Sequence, residues 1–211
     1  GQMMAAVIHD LKTPLTVISG YARMMAREEE RDQREACRGQ IKTQIGDMVE
    51  MTEELLSFAR GETEVLLQKV FVSDFLGEIQ AVLQREMENT ECTVSVDATY
   101  KGACRLDPKK MKRVVYNLAR NAREAMGDQG SFRVSVAADD EHVNFSFSDT
   151  GGGIPPEMEG RMFESFATHG KENGTGLGLA IVQKIVDEHH GEIGVDSVAG
   201  EGTTFTISLP R

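Results

Sequence analysis

Near its start, this 211-residue chain places three polar residues that could perform chemistry together. His9 and Asp10 are adjacent, and Thr13 follows the histidine by four positions, which is about one turn of a helix. A carboxylate can orient an imidazole ring and accept its proton, so this histidine could act as a nucleophile. Pro14 lies within the same helical pattern and predicts a bend there. A solvated surface pair is the other interpretation of His9 and Asp10.

A second polar group lies on the helix predicted from Pro108 to Met126. Asn117, Asn121 and Glu124 recur at i, i+4 and i+7, so they share one face of that helix. Asparagine is unfavourable inside a helix, and two in register therefore predict a ligand-facing surface. A solvated polar face is the alternative.

A carboxylate and a run of glycines follow a predicted strand. Asp149 lies in phase with the apolar residues Val143, Phe145 and Phe147, so alternation directs it to their face. A carboxylate on an apolar face is costly unless it finds a donor, and the exocyclic amine of a purine would serve. The glycines at 151–153 would let a ring approach the backbone. An aspartate that begins a tight turn is the competing interpretation.

A further glycine-rich stretch, from Asn173 to Ala180, runs into a predicted helix. Successive backbone N–H groups and the positive end of a helix form an anion site that suits phosphates. The stretch does not follow a strand, which argues against a dinucleotide-binding fold. It also lacks the lysine of a Walker motif.

Composition excludes some partners. The chain has 34 acidic and 23 basic residues and a net charge of −11, which argues against nucleic acid as a partner. It contains no apolar run of roughly 20 residues and no signal peptide, so we expect a cytoplasmic fragment without membrane contact. Its three cysteines lack metal-binding spacing and are expected to be reduced thiols.

Two helices must position His9. Apolar residues with steps of three and four form two seams, joined by the charged stretch 27–34 and ended by Gly61. Two helices of about 25 residues cannot bury both seams alone, but two hairpins can do so as a four-helix bundle. We therefore expect residues 1–61 to form a homodimer. The seams are Met4, Ile8, Leu11, Leu15, Ile18, Ala22, Met25 and Ile41, Ile45, Met48, Thr52, Leu55, Ala59.

Residues 62–211 are predicted to form a second domain of mixed helices and strands. Ser73 or Asp74 could cap its first helix, and Pro108 suits the first turn of its second. A third helix is expected at Thr175–His190, with His189 and His190 stabilised as cations by the helix dipole. The predicted strands are Val65–Val72, Thr93–Val96, Phe132–Val136, Val143–Phe147, Glu192–Val195 and Thr203–Leu209.

Together these motifs resemble the catalytic core of a two-component sensor histidine kinase. The likeness covers nearly the whole chain, and five boxes in order make it highly specific. It implies an antiparallel helical hairpin in a dimeric four-helix bundle, followed by an α/β sandwich with a mixed sheet and one helical layer. The matching boxes are His9–Leu15, Asn117–Ala125, Asp149–Gly153, Phe163–Phe166 and Gly174–Leu179, with a terminal element at Gly200–Phe205.

The resemblance implies an activity and roles in the hairpin. ATP would phosphorylate His9 at Nε2, and the phosphoryl group would pass to an aspartate in the receiver domain of a response regulator. Asp10 would be the acid/base partner of His9. Thr13 matches the position that aligns water for regulator dephosphorylation in families with that activity.

The resemblance also implies a site for ATP and Mg²⁺. Asn121 would bind the metal through its amide oxygen, and Asn117 would assist at the phosphates. Asp149 would accept a hydrogen bond from the adenine amine, supported by Thr203. The remaining nucleotide contacts would be Gly151, Gly153, Lys171, Gly174, Thr175, Gly176, Leu177 and Gly178.

Two other functions compete with this one. A degenerate module could dock a regulator without using ATP, but its nucleotide boxes should be broken. A serine kinase or an ATPase could share the ATP fold, but neither would need His9. An ATPase should also carry, in place of Asn117, a glutamate that acts as a general base on water. The chain departs from many family members at Glu124 and Ala125, where Lys and an aromatic residue are common, and at His190, where glycine is usual.

Overall fold

The computed structural model describes the backbone of residues 2–60, 65–88, 90–158, 160–164, 167 and 176–211. In the two N-terminal helices it describes the side chains of residues 12, 14–46, 48–49 and 52. The chain divides into two compact units. The first comprises Gly1–Glu62 with Glu164–Leu177, and the second comprises Thr63–Phe163 with Gly178–Arg211.

The first unit is built on a helical hairpin. Helix α1 (Gln2–Arg27) packs against α2 (Arg31–Arg60), and three residues connect them, so the helices run antiparallel as predicted. Glu28 organises the connection, because its Oε1 accepts the backbone N–H groups of the next two residues at 3.0 and 3.1 Å. Helix α1 continues through Pro14, which is buried. The predicted stop at Gly61 lies outside the described residues.

The hairpin exposes apolar side chains that belong to its predicted seams. Leu15 on α1 and Ile45 on α2 are each 50% exposed, although residues of this type are commonly buried. Val49 on α2, which lies outside the predicted seams, is exposed to the same extent. Apolar side chains of this kind mark an interaction site where they form one contiguous patch.

The second unit is built on a mixed five-stranded sheet, which confirms the predicted fold class. The strand order is β2-β4-β5-β7-β6, with β2 and β4 parallel and the other pairs antiparallel. A separate pair, β1 and β3, is antiparallel. The strands are β1 (Gln68–Phe71), β2 (Thr93–Ala98), β3 (Ala103–Leu106), β4 (Ser131–Ala138), β5 (His142–Asp149), β6 (Glu192–Val198) and β7 (Gly202–Pro210).

One layer of helices packs with this sheet, as predicted. It consists of α3 (Val72–Glu86), α4 (Pro108–Met126) and α5 (Gly178–Glu188), with α4 in contact with both others. Phe75 of α3 meets Phe145 of β5 edge to face, with ring centroids 6.2 Å apart. Val143, Phe145 and Phe147 are buried in alternation along β5, which confirms the period of two.

Several local predictions are wrong. Strand β1 is shorter than Val65–Val72, and α3 begins with Phe71 at its N-cap position, without a side-chain cap from Ser73 or Asp74. Instead, the first helical N–H of α3 donates to the backbone carbonyl of Gly102 at 3.0 Å. Strand β3 was not predicted. Helix α5 begins at Gly178 rather than at residue 175 and ends at Glu188.

Asp107 caps α4 and holds the start of the second unit. Its Oδ1 accepts the backbone N–H groups of Lys109 at 3.0 Å and Lys110 at 3.1 Å, and its Oδ2 accepts that of Leu66 at 3.1 Å. Burial alone would raise the pKa of this carboxyl, but the three N–H donors hold it below its usual value. One side chain therefore fixes both the helix start and the incoming chain.

His189 is a buried neutral base, so the interpretation of this residue as a cation is wrong. It is 3% exposed, and its Nε2 accepts the backbone N–H of Asp107 at 2.9 Å. Its Nδ1 lies 2.7 Å from the carbonyl oxygen of Ile185 and donates to it in this tautomer. Burial lowers the pKa of His189. The next residue, His190, has a φ of 58°, the left-handed conformation that favours glycine.

None of the helices that the structure describes has both the length and the apolar composition needed to span a bilayer.

Candidate functional site

Three polar residues lie in one row across three neighbouring strands. Asp149 on β5 pairs with Thr203 on β7, and Thr203 pairs with Ser197 on β6. Directly opposed residues of antiparallel strands project to the same face, so the three side chains are neighbours. Thr203 is buried at 6% exposure, whereas Asp149 and Ser197 are partly exposed. The row is a polar strip at the end of the apolar face of β5.

Asp149 has the environment of a recognition carboxylate. Its Oδ1 accepts the backbone N–H of Gly151 at 2.8 Å, which fixes its orientation. Burial raises the pKa of Asp149, and the N–H groups of Gly151 and Thr203 only partly offset that effect. A half-buried carboxylate of this kind gains from any further hydrogen-bond donor that reaches it.

The glycine run after β5 follows a path that side chains would block. A Cβ on Gly151 would lie 2.7 Å from the Cβ of Ala125, at the end of α4. Gly153 has a φ of 74°, and a Cβ there would lie 2.5 Å from the carbonyl oxygen of Val198. Gly152 donates to the carbonyl of Ala125 at 3.3 Å. Gly151 and Gly153 therefore lie tightly between α4 and the end of β6 and have no room for a side chain, whereas Gly152 has open space around it.

The polar face of α4 presents its two asparagines differently. Asn117 is 4% exposed, and its Nδ2 donates to the carbonyl of Arg113 at 2.9 Å. A Cβ on Gly178 would lie 3.0 Å from Oδ1 of Asn117, so this amide lies against the first turn of α5. Asn121, one turn further on, is only partly buried. The amide of Asn121 is therefore the more accessible of the two.

An ion pair occupies the same helix face. Nε of Arg120 lies 3.1 Å from Oε1 of Glu124, in an i, i+4 arrangement with both side chains about a quarter exposed. Glu124 is the position at which the resembled family commonly carries lysine. The Arg120 guanidinium is therefore a cationic group on this face of α4.

The glycine stretch before α5 is described only at its end. Gly176 has a φ of 63°, which favours glycine, and Leu177 is fully buried. Gly178 is the first residue of α5, so the positive end of that helix lies next to Asn117. The predicted contacts Lys171, Gly174 and Thr175 lie outside the described residues.

The backbone of the predicted phosphoacceptor motif is helical. His9, Asp10 and Thr13 all lie within α1, which puts Thr13 one turn after His9. The side chains of these three residues lie outside those that the structure describes.

Sequence reasoning missed Ser197. The predicted strand ended at Val195, whereas β6 continues to Val198 and brings Ser197 opposite Thr203. If the predicted strand Glu192–Val195 had been extended in register with its partner strand, the hydroxyl of Ser197 would have been placed next to Thr203. The residues of β6 alternate between exposed and partly buried, and Ser197 lies in phase with the partly buried Ile193 and Val195.

Comparison with known proteins agrees with this geometry. A family model described as "Histidine kinase-, DNA gyrase B-, and HSP90-like ATPase" matches residues 106–211. A model of the "His Kinase A (phospho-acceptor) domain" matches residues 1–64. The chain belongs to this ATPase family, in the two-domain arrangement of a sensor histidine kinase catalytic core.

Curated relatives match the whole chain. Sporulation kinase A of Bacillus subtilis is 30% identical over 215 residues, which are 100% of this chain and 34% of that protein. Sensor histidine kinase ZraS of Salmonella typhimurium is 31% identical over 214 residues, which are 100% of this chain and 45% of that protein. The chain thus spans less than half the length of these relatives.

Solved structures share the fold. The crystal structure of full-length ShkA in complex with AMPPNP superposes with a TM-score of 0.71 at 25% identity. The match covers 99% of this chain and 45% of that one.

Proposed function

We propose that this chain is a protein-histidine kinase core that moves the γ-phosphoryl group of ATP first to His9 and then to an aspartate of a response regulator. The observation that supports the nucleotide half is Asp149, which is half-buried beside a loop where Gly151 and Gly153 leave no room for a side chain. The phosphoacceptor half is supported by the family match over residues 1–64 and by relatives named as kinases.

Asp149 would recognise the adenine base. Its carboxylate accepts hydrogen bonds, and the exocyclic amine of adenine donates them. Thr203 would support that contact from the facing strand, and Gly151 and Gly153 would let the ring approach the backbone. The AMPPNP complex of ShkA supports an adenine nucleotide as the ligand of this fold.

The phosphates would lie at the start of α5. The N–H groups of its first turn and the helix dipole favour anions there. Gly176 and Gly178 would let the phosphates approach closely, and Leu177 would hold this end of the loop through its burial. We extend the proposed contacts to Lys171, Gly174 and Thr175 on the basis of the family alone.

Asn121 is the proposed Mg²⁺ ligand. Its amide oxygen is a hard ligand of the kind that Mg²⁺ binds together with substrate phosphates, and its side chain is the more accessible on this face. When bound, the metal would neutralise charge on the phosphates during transfer. Asn117 lies against α5 and is better placed to fix the phosphate-binding turn than to bind the metal.

The first chemical step would form a phosphorus–nitrogen bond. Nε2 of neutral His9 attacks the γ-phosphorus, the bond to the bridging oxygen breaks, and ADP leaves with the electron pair. The Asp10 carboxylate would orient the ring and take up the proton at Nδ1. Asn117 cannot accept a proton, which suppresses attack by water in place of the histidine.

The second step would pass the phosphoryl group onward. A receiver aspartate attacks phosphorus, and the nitrogen of His9 leaves, regaining its proton through Asp10. Thr13, one turn along α1, is the residue we propose to align water where the kinase also dephosphorylates its regulator.

The acting form would be a homodimer through residues 1–61. The half-exposed Leu15 and Ile45 are seam residues that a second hairpin would cover in a four-helix bundle. This dimer would present one His9 from each chain.

A transfer experiment tests the proposed function. The chain is incubated with Mg²⁺ and ATP radiolabelled at the γ-phosphate, freed of nucleotide, and mixed with purified receiver domains. We expect label on the chain, followed by transfer to at least one receiver. Release of phosphate without labelled protein would favour an ATPase, and absence of both would favour a docking module.

A further inference from the structure

The hydroxyl of Ser197 joins the glycine loop to the polar row. Its Oγ accepts the backbone N–H of Ile154 at 2.8 Å, where the loop leaves the 151–153 glycines. The same Oγ donates to the carbonyl of Gly202 at 3.2 Å and lies 3.1 Å from Oγ1 of Thr203. One side chain thus contacts the loop, the β7 backbone and the Thr203 hydroxyl.

The direction of the hydroxyl–hydroxyl bond depends on which acceptor takes the single proton of Ser197, the carbonyl of Gly202 or the hydroxyl of Thr203. Ser197 has a single proton, and the carbonyl of Gly202 can only accept. When the Ser197 proton is directed to Gly202, the bond between the hydroxyls is made by the proton of Thr203. Oγ1 of Thr203 then has only lone pairs left for any further partner.

We propose that Ser197 is a positioning residue that holds Thr203 as a hydrogen-bond acceptor, so that the row favours a purine with an amino group at position 6 over one with a carbonyl. This inference rests on the proposed binding of an adenine nucleotide. Asp149 and Thr203 then form two adjacent acceptors at the end of the apolar face.

The two kinds of purine differ in what they offer this pair. A 6-amino group has two N–H donors, whereas a 6-oxo group presents lone pairs toward the same atoms. Two acceptors facing a carbonyl oxygen leave polar groups unpaired, and that penalty gives strong discrimination. If Ser197 is removed, the Thr203 hydroxyl can rotate and donate, which relieves the mismatch with the carbonyl.

Binding of ADP and IDP, which differ at position 6 of the base, tests the proposal. Calorimetry on wild type, Ser197→Ala and Ser197→Thr compares the ratio of the two dissociation constants. We expect Ser197→Ala to lower the preference for ADP by about three- to tenfold, mainly by improving IDP binding. Ser197→Thr keeps the hydroxyl and should restore the ratio.

Ser148→Ala is the matched control. Oγ of Ser148 bonds Oγ1 of Thr204 at 2.7 Å in the next register row, on the opposite face of the sheet. This variant should keep the wild-type ratio of ADP to IDP affinity. If Ser197→Ala is unstable, Ser197→Cys, a weaker donor, should shift the ratio in the same direction.

Equal loss of ADP and IDP affinity in Ser197→Ala would overturn the proposal, since it would mark Ser197 as a loop anchor only. An unchanged ratio, or the same shift in Ser148→Ala, would also overturn it. Wild-type protein that binds neither nucleotide would contradict the proposed function itself, which separates the two failures.

Discussion

His189 at the end of α5 accepts the backbone N–H of Asp107 at the start of α4, with 2.9 Å between Nε2 and the nitrogen. Asp107 in turn holds the backbone of Leu66, near the start of the second unit. The bond requires an unprotonated Nε2, so this junction depends on a neutral imidazole. The charged groups near the ring are Asp107, Lys110 and Glu188.

Acid should weaken this junction. The pKa of His189 is lowered from 6.5 by burial, so below pH 6.5 the unfolded chain binds the proton more readily than the folded one. The stabilisation is therefore complete above that pH and decreases as pH falls toward the folded-state pKa. Urea unfolding from pH 8 to pH 5 should lose at most about 1.4 kcal/mol per pH unit from this group.

His189→Gln is the control for that titration. Its amide oxygen can still accept from Asp107 but does not titrate, so the slope below pH 6.5 should flatten relative to wild type. Identical slopes in the two proteins would show that His189 is already charged when folded.

Nucleotide-binding measurements should distinguish the role of Asp149 at the base from that of Asn121 at the phosphates. Asp149→Asn loses a charged acceptor worth about 1.5–3 kcal/mol, so ATP affinity should fall roughly ten- to several-hundred-fold. Asn121→Asp keeps an oxygen ligand and disturbs the phosphates instead. Adenosine has no phosphates, so its binding should vanish in Asp149→Asn and survive in Asn121→Asp. If calorimetry shows that both variants lose adenosine binding equally, Asp149 does not recognise the adenine base.

Adjacent glycines in the loop should respond differently to alanine. Gly153→Ala faces a positive φ and a carbonyl oxygen 2.5 Å from the new Cβ, so we expect a loss of about 2 kcal/mol or more in unfolding free energy. Gly152→Ala meets no atom within 4 Å and should change stability by less than about 0.5 kcal/mol. Denaturant titration of both variants checks this, and similar losses would be inconsistent with the loop path.

Charge on the seam should break the dimer. Leu15→Glu places a carboxylate where a second hairpin would bury an apolar side chain, so the dissociation constant should rise at least about tenfold. Met24→Glu is the control, because Met24 is 58% exposed on the same helix but lies off the seam. Sedimentation equilibrium distinguishes them, and a Leu15→Glu protein that dimerises like wild type would place the interface elsewhere.

Local patterns predicted the parts of the fold that local residues determine. Helix α4 has the predicted bounds of Pro108 and Met126, because a proline opens it and Gly127 follows it. The inward face of β5 followed from strict alternation up to Phe147. These features need no information from distant residues.

The missed features depend on contacts between distant segments. Strand β3 has only four residues and is defined by pairing with β1, far away in the chain. His189 is neutral because burial lowers its pKa and because its Nε2 accepts the backbone N–H of the distant Asp107. Ser197 lies in the site because the pairing of β6 with β7 places it opposite Thr203.

The central claim is that His9 receives the γ-phosphoryl group of ATP. Wild type and His9→Gln are incubated with Mg²⁺ and ATP labelled at the γ-phosphate, and the protein-bound label is tested for stability in acid and alkali. We predict acid-labile, alkali-stable label on wild type and none on His9→Gln, which should bind ADP as tightly as wild type. Label that persists on His9→Gln would contradict the account.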